Sequence, residues 1–383
     1  MTSSGPGKVT MTRKSEGSGQ TPVQVGGGAA GKRPTLADVA RAAGVSTAAV
    51  SYALNGLPGV SDENRRRVLQ IAKDMGFRPN RLARALRHGQ TKMLGLLLPD
   101  IANPFYPELA SAIVTEAAAQ EYEVFLSQAG LHEELQRNVV RALLDRQCDG
   151  MLFTSVIESD RALLAELLDD QVPVVQVVRH VEGLAADFVG IDDRAAGRDI
   201  ARHVCASGRR KPVVLGGPQD SSASRDRLHG YLDAFLEYDI GAIRPECIDG
   251  ELTRESGYTR TRTLLADNGE DFPDALICGN DMIALGAIDA LYEAGLKVPT
   301  DVAVVGYDNM SFASSSLVGL TTIEVPRAEL GRVAVRVLLE RIDHPDRLPR
   351  RVILPHRVVV RRTCGAVSAQ FPDIDADWRA DSH

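Results

Sequence analysis

Residues Thr35–Tyr52 read TLADVARAAGVSTAAVSY, and their punctuation predicts two short helices joined by a tight turn. Thr35 is a helix cap with Asp38 three residues later, the spacing of a capping box. The first helix is expected to run to about Ala42 and the second, capped by Ser46, to about Asn55. Gly44 makes the turn and Val45 plugs the corner, while Val39 and Ala40 face inward with Val50. Ala43, Ala48 and Ala49 are small enough for close approach of helix to helix or of helix to a groove. Ser61 caps a third helix to about Met75, and Gly76 stops it. This is helix-turn-helix spacing. Taken alone, it also fits a capped three-helix bundle with no role on DNA.

The charge distribution separates this segment from its surroundings. The 383-residue chain carries a net charge of −7. Lys32–Lys92 holds 12 Lys/Arg against 4 Asp/Glu, a local charge of +8. Met1–Gly31 adds +2, so Met93–His383 carries −17. A basic module fused to an acidic body is the pattern of a DNA-binding head on a sensor; a solvated basic face would give the same counts. Residues 1–31, rich in Gly, Ser, Thr and Gln, are expected to be a disordered tail. They lack the apolar core of a secretory signal. No apolar run approaches the about 20 residues that span a membrane, so a cytoplasmic location is expected. Cys148, Cys205, Cys247, Cys278 and Cys364 are odd in number and without metal-ligand spacing, which predicts buried reduced thiols and neither metal nor cofactor.

Beyond Met93 the pattern alternates. Apolar strands are expected at 94–98, 124–126, 151–153 and 172–177, separated by helical stretches at 107–120 and 133–146. A second series has strands at 212–215, 275–278 and 302–306, with helices at 225–237, 254–267 and 281–294. Such alternation predicts parallel sheets covered on both faces, and two series predict two lobes. A last helix, 326–343, and strands at 352–354 and 358–360 return across both. The expected division is 1–31 tail, 32–78 helix-turn-helix head and 79–91 hinge. The N-lobe takes about 92–191 and 325–348, the C-lobe about 192–324 and 349–365, and 366–383 is a frayed tail.

The motifs are specific beyond their spacing. LADVARAAGVSTAAVSYALNG, VSDENRRRVLQIAKDMGFRPNRLARALRHGQT, ANPFYPEL, GNDMIALGA, VPTDVAVVGYDN and LTTIEVP occur in this order. Together they resemble the LacI/GalR family of transcription regulators over about Pro34–Cys364. The resemblance implies an all-α head and hinge helix joined to an α/β body of two Rossmann-like lobes, similar to periplasmic sugar-binding proteins. It implies a dimer on a near-palindromic double-stranded DNA operator, regulated by a small-molecule effector in the interlobe cleft. The second helix of the head would lie in the major groove, with Thr47, Ala48 and Tyr52 at base-reading positions. Tyr52 departs from the Arg or His common there and leaves the operator sequence open. Thr35, Ser46, Ser51 and Asn55 are expected at phosphates. In the hinge, Leu86 stands at the position of a minor-groove wedge, with Arg84 and Arg87 facing phosphates.

Ligands of open parallel sheets sit beyond the carboxyl ends of strands. Asn103, Phe105, Tyr106, Thr154, Asn280 and Asp308 each follow an expected strand, Asp192 follows a further one at 188–191, and Arg227 starts a helix. The resemblance puts Arg227, Asn280 and Asp308 at effector-binding positions, while Asp and Asn at strand ends also serve merely as caps. Val178, just before Arg179, replaces an Asp of many sugar-responsive members, and Leu252 replaces a stacking aromatic. A sugar, a sugar acid or another small metabolite all remain open. Two rival classes are a solute-binding receptor of a transporter, disfavoured by the basic head, and a sugar-modifying enzyme. The second lacks a nucleophile elbow or phosphate loop, since Gly216-Gly217-Pro218 fits neither glycine-rich pattern.

Overall fold

The computed structural model describes residues 34–54, 56–77, 90–130, 132–240, 247–268 and 272–365. The chain divides into two units, one up to Ala83 and one from Arg84. The expected tails and residues 79–89 of the hinge, with Arg84, Leu86 and Arg87, lie outside the described residues, as does Asn55.

The first unit contains helices α1 (Leu36–Ala43), α2 (Thr47–Leu54) and α3 (Asp62–Asp74). Its capping follows from the side chains. Thr35 and Asp38 form a reciprocal capping box on α1, Ser46 Oγ accepts from the Ala49 amide at 3.1 Å, and Ser61 Oγ accepts from the Asn64 amide. Gly44 sits in the left-handed region at φ 64° and closes α1, a conformation strained for a residue with Cβ. Val39, Ala40, Ala43, Val50, Ala53, Val68 and Ala72 make one small core.

The second unit carries two parallel sheets. The first contains β1 (Met93–Leu98), β2 (Glu123–Gln128), β3 (Gly150–Phe153), β4 (Val174–Val177), β5 (Asp187–Ile191) and β11 (Arg351–Leu354), in the order β11-β5-β4-β3-β1-β2. Interior strands such as β1 and β3 are buried on both faces and are therefore continuous apolar runs. The edge strand β2 is largely exposed. Around this sheet pack α4 (Phe105–Ala119), α5 (Glu133–Asp145), α6 (Arg161–Asp169) and α11 (Arg327–Asp343). The second sheet has β6 (Pro212–Leu215), β7 (Cys247–Ile248), β8 (Ala275–Cys278) and β9 (Ala303–Val305), in the order β7-β6-β8-β9. Its helices are α7 (Asp193–Ala206), α8 (Ser222–Glu237), α9 (Arg254–Asn268) and α10 (Asp281–Glu293). A small antiparallel pair, β10 (Thr322–Glu324) with β12 (Arg357–Val359), completes the unit.

Two expectations need correction. Residues 349–365 do not all belong with the second lobe, because β11 pairs in parallel with β5, Ile353 opposite Gly190. The chain therefore leaves the first sheet only after Leu354. The strand was short and half exposed, so its partner was not legible. The thiols are not uniformly buried either: none is in a disulfide, but Cys247 is exposed and Cys148 half-buried. No described helix is long and apolar enough to cross a membrane.

Candidate effector cleft and DNA-reading helix

In the head, Thr47, Ala48 and Tyr52 are all exposed on α2, whose opposite face buries Val50 and Ala53. Positions i, i+1 and i+5 share a side of a helix with 3.6 residues per turn, so one surface presents a hydroxyl, a methyl and a phenol. The Tyr52 ring lies against the backbone of Gly59, where an added Cβ would sit 3.5 Å from it. Thr35 and Ser46 are exposed, with their hydroxyls engaged in caps. Ser51 does not fit its expected place at a phosphate: it is buried, although at i+4 from Thr47 it lies on the side of α2 that carries the base-facing residues.

In the body, a cavity of about 340 Å³, open mouth included, is lined by residues of both lobes. Asn103, Phe105 and Tyr106 follow β1, and Val178 and Arg179 follow β4. From the second lobe come Ser221 before α8, Ala223, Ser224 and Arg227 on it, Leu252 after β7, Asn280 after β8 and Asp308 after β9. Seven of the nine expected pocket residues thus converge. The other two do not line it. Thr154 is buried with its hydroxyl donating to the Leu97 carbonyl at 2.8 Å. Asp192 is exposed and caps α7 through the Ala195 amide. The residue beside it, Asp193, turns inward instead: successive side chains at a strand end take opposite sides.

Asp193 Oδ1 accepts from Arg227 Nε at 2.8 Å and from Tyr307 Oη at 2.7 Å. The Arg227 guanidinium also donates to the Gly279 carbonyl and stacks 3.7 Å from the centre of the Tyr307 ring, a cation–π contact. This group is brought together by a close helix crossing. A Cβ on Gly230 of α8 would lie 2.1 Å from the Arg194 carbonyl, and one on Gly197 of α7 would lie 2.5 Å from the Arg227 carbonyl. Any larger side chain would push the Asp193 and Arg227 helices apart.

Much of the expected ligand-binding chemistry is already used by the fold. Asn280 Oδ1 caps α10 through the Ile283 amide, and its Nδ2 donates to the Leu252 carbonyl at 3.1 Å. Asn103 Oδ1 accepts from the Phe105 amide. Asp308 keeps its carboxyl for the cleft at a left-handed φ of 113°. Burial raises that carboxyl to about 7 against the opposing pull of Arg227 and Arg327. Behind it, burial followed by the charge of Asp308 raises Asp281 to about 8.

The cleft also contains two residues that sequence reasoning did not place there, Arg179 and Ser221. Val178 has φ 69°, and the Arg179 amide donates to the Val177 carbonyl at 2.8 Å. That is a γ-turn of the strained, positive-φ kind. A β-branched residue in this conformation signals a constrained site. The turn throws Arg179 into the cavity, where Nη2 donates to Tyr106 Oη at 3.2 Å and Nη1, although buried, has no partner. Ser221 precedes α8 with a buried, unpartnered hydroxyl. The readable signal was a lone Arg directly after an apolar strand. Among the described residues, no group of three or more His, Cys, Asp or Glu is placed to hold a metal.

Comparison with known proteins now bears on this geometry. Residues 35–80 match the family model "Bacterial regulatory proteins, lacI family", and residues 91–362 match "Periplasmic binding proteins and sugar binding domain of LacI family". The transcriptional regulator DegA of Bacillus subtilis is 30% identical over 86% of this chain and 98% of its own length. The ribose operon repressor of Haemophilus influenzae is 31% identical over the same shares. Among solved structures, the lac repressor dimer bound to operator and the anti-inducer ONPF is similar at TM-score 0.78 and 28% identity, covering 88% of this chain and 100% of that one. A complex of the transcriptional regulator CelR with cellobiose has TM-score 0.66 and 29% identity, covering 86% and 100%.

Proposed function

This chain belongs to the LacI family of bacterial regulatory proteins, and we propose that it works as a repressor that two copies form on a near-palindromic operator. It is a ligand-responsive, DNA-binding transcription regulator. The observation that carries the reading is the joint presence of two built sites. One is a capped, core-packed α2 that presents Thr47, Ala48 and Tyr52 to the outside of a basic head. The other is an interlobe cavity with buried polar groups. Thr47 and Ala48 offer a hydroxyl and a methyl suited to base edges and to the thymine methyl group, while the caps at Thr35 and Ser46 lie near the helix ends, where phosphates are met. Leu86 is the wedge of the hinge, with Arg84, Arg87 and Asn55 on phosphates.

The effector occupies the cleft against Asn103, Phe105, Tyr106, Leu252 and Asp308, with Arg227 and Asn280 fixed behind it. It acts by binding one arrangement of the two lobes better than another, and it changes DNA affinity by no more than that difference. The protein works in the compartment that holds the DNA and leaves its ligand chemically unchanged. Exposed Phe125, Leu126 and Val114 on β2 and α4 support pairing of two copies through the first lobe.

The test is selection of bound sites from a random duplex library by the purified chain at fixed salt, since affinity on DNA depends on salt. An enriched palindrome with a flexible central step is the expected outcome. Failure to enrich any sequence, with and without a metabolite pool, overturns the reading. Recovery of a chemically altered ligand from the cleft would favour an enzyme instead.

A further inference from the structure

Three features line the same cavity. Arg179 is almost fully buried, and among the described residues it forms no ion pair; one guanidinium nitrogen is held by Tyr106 and the other, Nη1, is unpartnered. Ser221 is fully buried with an unpartnered hydroxyl. Ser221 is also the cap residue of α8, a 16-residue helix whose first turn lines the same cavity at Ala223 and Ser224. A buried cation without a counter-charge is costly, and first-turn amides carry partial positive charge. All three point to an anion.

Resting on the reading that the cleft is the effector site, we propose that the effector carries a carboxylate, bound by Arg179 Nη1, Ser221 Oγ and the first turn of α8. The Asp308 carboxyl across the cavity then accepts a hydroxyl of the same molecule, and the ring face of Phe105 covers its carbon frame. The effector class is a small hydroxylated carboxylic acid. A phosphate suits the site less well, because Asp308 in the same cavity repels a second negative charge on the ligand.

The test uses the full chain and sodium acetate as probe, compared with sodium chloride at equal ionic strength, with acetamide and sodium phosphate as further arms. Acetate at about ten times its Kd is expected to raise the melting temperature of the body by about 3 °C, and acetamide is expected to leave it unchanged. Arg179→Met is expected to abolish the acetate shift while melting no lower than the native chain in chloride, because it removes an uncompensated buried charge. A role in folding alone would instead lower that melting temperature. Ser221→Ala, which deletes only an unpartnered hydroxyl, guards against a misfolded arginine variant and is expected to weaken acetate about tenfold. Equal melting in acetate and chloride overturns the proposal, and so does a larger rise with phosphate than with acetate. Either result alongside an enriched operator sinks this inference and leaves the regulator standing; loss of operator enrichment sinks the regulator itself.

Discussion

The head presents its three base-facing candidates, Thr47, Ala48 and Tyr52, exposed on a single helix of eight residues, whereas the cleft assembles its polar groups from strand ends scattered between Asn103 and Asp308 and buries them. The difference follows from the partner. A duplex is a large, hydrated surface that comes to the protein, so the side chains that meet it must stand free, and only the helix beneath them needs support. A small molecule must be surrounded, so the groups that meet it lose water before it arrives and have to be satisfied by one another. The head therefore tolerates substitution on its outer face. The cleft couples almost every change to the stability of the body.

That contrast breaks most visibly at Asp193. Asp193→Ala leaves Arg227 charged and buried beside Tyr307, and is expected to destabilise the body by about 3–5 kcal/mol. Calorimetry should show the head transition unmoved; a shift of both transitions would mean that the two units share stability. The body is also expected to be sensitive to pH where the head is not. Burial raises Asp281 to about 8 and Asp308 to about 7 from an ordinary 3.8. The folded chain thus holds protons that the unfolded chain releases above about pH 4. Their stabilising contribution is complete below pH 4 and is lost as pH rises through 7 and 8. Melting of the body is expected to fall by several degrees or more between about pH 6 and pH 8, above which both groups are ionised and the slope levels off, and Asp281→Asn should flatten that slope. A native body whose melting rises over this range contradicts the assignment.

On the head, Tyr52→Arg supplies a bidentate donor for guanine and is expected to move site preference by about 1–3 kcal/mol at one base pair per half-site. Library selection reads this directly, and an unchanged preference would remove Tyr52 from the base-reading surface. The smallest expected effect is that of Ser46→Ala, which loses the cap on α2 and about 1 kcal/mol of head stability, with melting of the body unchanged.

Legibility in the sequence tracked how local each feature is. The head's helices emerged within a residue or two of their expected bounds because caps, the Gly44 turn and inward apolar positions act over a few residues. The edge strand β2 was underestimated, since its exposed residues dilute the apolar run. Helix α6 was not anticipated at all, being short and without a side-chain cap bond. Ser51 was misassigned because its burial depends on how the whole head packs, which helix periodicity does not show. At the cleft, the strand-end rule found five lining residues but chose Asp192 over Asp193, which differ only in the side of the chain from which they project.

The chain's own residues determined that a capped, basic three-helix head precedes two parallel α/β lobes, and which strand ends bear polar groups, because capping, turn chemistry and apolar periodicity are settled by near neighbours. The tertiary structure alone decided that β11 returns to the first sheet and that Asp193 pairs with Arg227 across a glycine crossing. It alone also left Arg179 Nη1 and Ser221 Oγ without partners in residues that line a common cavity. Those outcomes depend on distances between residues far apart in sequence, and such distances exist only once both lobes have packed.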